Sequence, residues 1–186
     1  MSKIFLKLAK KAQKFQLNEK GVAAVEFALI LPIMLTLYIG TAEVGRAIEY
    51  NKRAAVAAAT MGDLVARADG SVSEAEITDF FAAAKITLTP YPIVNLKQVI
   101  TSVYVDDDGD TSVEWSRSKN GGAAYSNGDS FTLPDNIKDI SEDGYVIVSE
   151  TSLTYTPITS YIFSSGFTFD KKYYHLPRFG DEIELN

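Results

Sequence analysis

Among the ionisable residues of this 186-residue chain, Glu26 has the least ordinary setting. It stands five residues beyond Gly21 in EKGVAAVEFALILPIMLTLYIGTAEVGR (19–46), inside a run of about 20 mostly apolar residues of membrane-spanning length. A carboxylate costs about 2–3 kcal/mol at the centre of a bilayer and less near the interface, and such residues tend to be functional. Glu26 acquires a use if a positive charge meets it there. Cleavage after Gly21 creates one, because Val22 then carries a free α-amino group and Glu26 becomes the fifth residue of the new chain. An amine and a carboxylate on adjacent subunits can pair in low dielectric, where either group alone is penalised. The small residues Gly21, Ala23 and Ala24 leave the scissile point accessible.

The other candidates for chemistry are weaker. Asp106, Asp108 and Asp110, with Asp107, invite a cation, but a calcium loop starting at Asp106 would need glycine and glutamate where Thr111 and Arg117 stand. A hairpin turn is the better reading, and no metal is expected. His175 is the single histidine, with no neighbours to build a triad or a metal site. No nucleophile elbow, phosphate loop, zinc-protease or dinucleotide motif occurs, so an enzyme is disfavoured and no cofactor is implied. The absence of cysteine excludes disulfides, thiolate metal sites and a cysteine nucleophile. Trp115 and the aromatics of the C-terminal half read as core residues of half-buried strands.

The elements that must carry Glu26 follow from charge and periodicity. Residues 1–21 hold six lysines (Lys3, Lys7, Lys10, Lys11, Lys14 and Lys20) against Glu19, a charge of +5, while the chain totals −6, leaving −11 for 22–186. The acidic body argues against nucleic acid, and the basic leader 1–21 reads as a cytoplasmic flank. Ile4, Phe5, Leu8, Ala12 and Phe15 fit a short surface helix within it; a leader selected only for charge fits equally. Residues 22–42 form the transmembrane segment, interrupted by Pro32, and the helical pattern continues to about residue 68. In the second half Val44, Ile48, Ala55, Ala59 and Gly62 recur on one face, with Ala58, Met61 and Val65 beside it, against Arg46, Glu49, Arg53 and Arg67. The pairs Ala24/Ala28, Ala55/Ala59 and Ala58/Gly62 permit close helix packing, although plain alanine propensity accounts for them as well.

Asp69-Gly70 ends this helix, and Ser73 with Glu76 forms a capping box opening a second helix to about Lys85. Pro90 and Pro92 predict extended chain. Strands are expected at 99–105 and 111–115 as a hairpin, at 145–155 with Tyr145, Ile147, Leu153 and Tyr155 on one face, and at 167–174. The fold class is α+β: a long helix, half transmembrane and half amphipathic, a short helix, then an antiparallel sheet of about four strands. Residues 43–186 would form the domain outside the membrane.

KGVAAVEFALILP resembles the N-terminal signature of type IV pilin-like precursors, most closely the TadE/TadF-like minor pilins, or pseudopilins, of the tight-adherence (Tad) pilus system. The resemblance covers about residues 19–46. It implies that a prepilin peptidase cuts between Gly21 and Val22, with Glu26 and Phe27 at the acid and aromatic positions. Major pilins of the system usually carry tyrosine after the acid and are much shorter, so Phe27 and the large outer domain imply a minor pilin. The implied partners are the peptidase, other major and minor pilins, the inner-membrane assembly platform and membrane lipid. The implied role is structural, in pilus assembly, surface adhesion and biofilm formation. The expected location is a bacterial inner membrane, crossed once, with the N-terminus cytoplasmic and the C-terminal domain periplasmic. Two rivals stay open: a secreted protein with a Sec-type signal cut after Ala42, leaving Glu43 first, and an uncleaved anchor bearing a periplasmic binding or enzymatic domain.

Overall fold

The computed structural model describes residues 19–91, 96–159, 163–180 and 182–186. The surface helix expected on Ile4 to Phe15 lies outside the described residues. The chain divides into two units, Met1–Val44 and Gly45–Asn186.

In the first unit the described residues belong to helix α1 (Glu19–Ala66). Alanine, leucine, isoleucine and methionine fill it and propagate helix well. Pro32 sits inside without ending it, and Thr36 donates its hydroxyl to the Pro32 carbonyl at 2.8 Å, a bond that occupies an acceptor in the helix's own backbone. Val22, Val25, Phe27, Leu29, Ile30 and Ile33 are all exposed. This is one helix long and apolar enough to cross a membrane, and it lies near the N-terminus.

The second unit takes the rest of α1, then β1 (Ser71–Val72), α2 (Glu74–Ile86), β2 (Leu96–Val105), β3 (Thr111–Lys119), α3 (Asp135–Lys138), β4 (Gly144–Tyr155), β5 (Phe167–His175) and β6 (Glu184–Leu185). The four long strands form an antiparallel sheet in the order β3-β2-β4-β5. The expected α+β architecture is therefore present, and each expected strand is there, the second extended to Lys119. β1 and β6 make a small parallel pair that the sequence pattern did not indicate.

Both sheet faces are covered, which explains the near-complete burial of the inner strand β2. On one face Leu96 and Ile100 of β2 and Ile147, Leu153 and Tyr155 of β4 pack with Tyr50, Ala54, Ala57, Met61 and Val65 of α1 and Ile77 and Phe81 of α2. On the other face Val103, Val105, Val113, Val146 and Val148 lie under Phe131 and Leu133 of the long β3–β4 connection. Trp115 is buried, and its indole N–H donates to the Ile183 carbonyl at 2.7 Å, so it is a core residue as expected.

The inward face of α1 overlaps the expected one only in part: Gly62 and the adjoining Ala58, Met61 and Val65 are buried. Val44 and Ile48 are about half exposed, whereas the core face runs through Tyr50, Ala54, Ala57, Ala58, Met61 and Val65. This is a rotation of about 100°, one residue step around the helix. Alanines occupy nearly every side of this stretch, so periodicity alone identifies its core face poorly. Arg53, assigned to the polar side, clamps α1 to the end of α2. It bonds Glu49 at 2.9 Å and the carbonyls of Thr87 and Thr89 at 2.7 and 3.0 Å, with its guanidinium 5.1 Å from the Tyr91 ring centre.

The capping box forms as read: Ser73 accepts from the Glu76 amide and Glu76 accepts from the Ser73 amide at 2.9 Å. After α2 the chain makes successive turns rather than extended structure: the amides of Leu88 and Thr89 donate to Lys85 and Ile86, and Leu88 is buried. Burial of Leu88 and the Arg53 contacts to Thr87 and Thr89 outweigh the extended preference before Pro90. Pro92 lies outside the described residues.

Candidate functional site

The residues expected to act together occupy the opening turns of α1. Gly21 and Val22 are already helical, and among the described residues a methyl group at Gly21 would meet nothing within 4 Å beyond its chain neighbours and its own turn of helix backbone. The 21–22 peptide is thus sterically open. Glu26 stands four residues after Val22, one turn further on the same side of the helix, about 6 Å along the axis. Phe27 is 60% exposed beside it. Opening the chain at 21–22 would leave the first amides of the new helix without intrahelical acceptors, and a carboxylate in the second turn interacts favourably with that positive end.

The small-residue pairs divide by environment. Ala24 and Ala28 are exposed, and Ala55 and Ala59 are half-buried on the outer side of α1. Ala58 and Gly62 are buried. Gly62 makes its close approach to the sheet of its own chain: a Cβ there would collide with His175 Cδ2 and lie 2.6 Å from His175 Nε2 and 2.7 Å from Ser149 Oγ. The Gly62 half of the Ala58/Gly62 pair therefore serves intramolecular packing.

The aspartates at 106–110 form the β2–β3 turn, as expected. Asp106 Oδ1 accepts from the amides of Asp108 at 3.1 Å and Asp110 at 2.7 Å, which commits that oxygen to shaping the turn. Among the described residues no group of three or more histidine, aspartate or glutamate side chains is arranged to hold a metal ion.

One polar cluster escaped the sequence reading. His175, the last residue of β5, pairs with Ile147 of β4 and turns its ring toward Gly62. Its Nε2 and the Ser149 hydroxyl are buried without hydrogen-bond partners. Burial pushes the imidazole pKa down; Asp63 opposes this and Arg178 adds to it. Asp63 is itself held low by hydrogen bonds from Arg67 and Arg178, each 2.5 Å. Nothing local in sequence links residues 62, 149 and 175; only strand pairing and helix docking do so.

Residues 21–62 match the model of a protein family described as TadE-like protein. No curated protein and no solved structure matches the chain. The matched stretch lies wholly within α1, leaving the sheet outside it. TadE-like proteins are structural rather than enzymatic, and a single apolar N-terminal helix fits single-pass anchoring. Over residues 21–62, which contain Gly21, Val22, Glu26 and Phe27, this chain is similar to the TadE-like family.

Proposed function

We propose that the protein is a minor pilin that takes part in assembling a Tad-type pilus after a prepilin peptidase removes residues 1–21. The observation that carries this reading is the position of Glu26, one helical turn beyond an unobstructed Gly21–Val22 bond, within the family-matched segment. The bond lies in the first turn of α1, where fraying is cheap and glycine lowers helix stability by about 1 kcal/mol relative to alanine. A peptidase that needs extended chain meets little resistance there. The new Val22 amine then offers a cation to Glu26 of a neighbouring subunit, and α1 packs laterally with other pilin helices through exposed apolar side chains and Ala24, Ala28, Ala55 and Ala59. The N-terminus lies on the cytoplasmic side of the inner membrane and the sheet domain in the periplasm. Adhesion and biofilm formation follow from a working pilus.

Two measurements test this. N-terminal sequencing of protein extracted from membranes should begin at Val22; a start at Glu43 would indicate a secretory signal, and one at Met1 or Ser2 an uncleaved anchor. Glu26→Ala should leave membrane insertion intact and reduce pilus number severely. Normal piliation in that strain would remove the pairing role.

A further inference from the structure

We propose that the seat of Gly62 on His175 and Ser149 is an acid-opened latch, which holds the last turns of α1 against the β4–β5 end of the sheet and releases them when the imidazole is protonated. The latch lies entirely within the second unit and does not depend on the pilin reading.

The geometry comes first. Gly62 is the position where α1 comes close enough to the sheet for the ring of His175 and the hydroxyl of Ser149 to occupy the space a Cβ would need. At this contact both polar tips, His175 Nε2 and Ser149 Oγ, are buried and unpartnered among the described residues. A neutral imidazole tolerates such a site at modest cost. An imidazolium does so at greater cost, because its Nε2–H would be a buried charged donor without a bonded acceptor, the Ser149 hydroxyl at the same contact making no hydrogen bond to it.

The surrounding charges do not supply one. From α1 the titratable and charged groups on this side are Asp63 and Arg67; from the segment after β5 there is Arg178. Both oxygens of Asp63 are engaged, Oδ2 by Arg67 and Oδ1 by Arg178, so turning it to His175 would break an existing ion pair. Arg178 repels a second cation, and its amide also donates to the Ala66 carbonyl at the end of α1. From β4 the nearby face carries Ser149 and, beyond Ile147, Tyr145, whose hydroxyl already donates to Glu182 at 3.2 Å. On β5, Tyr173 lies two residues back on the same face and is partly exposed. Protonation is therefore relieved most readily by moving α1 and the 175–178 segment apart, which lets water reach Nε2. Stability from the neutral ring is present above the unfolded histidine value near 6.5 and is lost as the pH falls through the lower folded value.

His175 is the only histidine in the chain, so its ring resonance is unambiguous. The test uses the full chain in detergent micelles, with a ring-proton titration by NMR and hydrogen exchange corrected for intrinsic rate. The ring should titrate below the ordinary histidine value near 6.5. Between pH 7.5 and 5, protection of residues 58–66 should fall severalfold, because the open form binds the proton more tightly than the closed one. Protection of β2 should change less than twofold. His175→Gln, which cannot be charged, should remove the pH dependence. The proposal is overturned by an ordinary midpoint near 6.5 with no loss of protection at 58–66, or by an equal acid response in His175→Gln. If that variant fails to fold, the wild-type comparison of 58–66 with β2 decides: uniform loss of protection refutes a local latch.

Discussion

At the scale of single residues, Gly62 and Glu26 represent two different uses of an unusual choice in a helix. Glu26 is exposed and unusual because of the apolar residues around it in sequence. Gly62 is unusual because of what stands opposite in space. Any side chain there must displace the His175 ring or rotate Ser149 Oγ, neither of which is backbone, so some relief is available. Gly62→Ala is expected to destabilise the second unit by about 1–3 kcal/mol, the range for overpacking a tight contact, although alanine is the better helix former. Denaturant unfolding of the full chain measures it; an unchanged or raised midpoint would show that the close approach relaxes freely.

At the scale of elements, α1 and α2 are held by different means. The capping box of α2 satisfies amides at its start, and Glu74 in its first turn bonds Arg117 of β3, which holds the Glu74 carboxyl below its usual range. Ser73→Ala should cost about 1 kcal/mol, the typical loss for a capping side chain. Its signature should be early exchange of the amides of residues 74–77, with the β2–β4 pairing unaffected. Loss of protection in β2–β4 as well would mean that the cap supports the whole sheet rather than one helix end. In α1 the contribution of surface charge is smaller than that of apolar contact, because Asp63, Arg67 and Arg178 are all substantially exposed.

At the scale of the whole molecule, acidity acts in two separable windows. Asp63 and Glu74 are both held low by arginine hydrogen bonds, so their stabilising effect is complete above the unfolded carboxylate range near pH 4 and is lost as pH falls through their lower folded values. Unfolding midpoints should therefore decline again below about pH 4. High salt should shrink that lower step, since exposed ion pairs are screened. A lower step insensitive to both salt and Asp63→Asn would assign it to other carboxylates. N-terminal sequencing belongs to this scale too, because the first residue of the membrane-extracted protein decides whether α1 begins at a free Val22 amine.

Local order was legible wherever one short stretch sufficed to define it. The run of apolar residues around Glu26, the Ser73–Glu76 box, the aspartate turn and the four strands all rest on contacts between sequence neighbours or on alternation within one strand. Even the family likeness is carried by a continuous stretch, 21–62. What needed the tertiary structure was any choice among equivalent local options. An alanine-rich helix can bury several of its sides, and only docking on β2 and β4 selected Tyr50, Ala54, Met61 and Val65 over Val44 and Ile48. Pro90 favours extended chain, yet burial of Leu88 and the Arg53 clamp impose turns. His175 reads as an unremarkable strand end until β5 pairs with β4 and Gly62 closes over its ring, because the free energy of burying an unpartnered nitrogen arises from a helix far away along the chain.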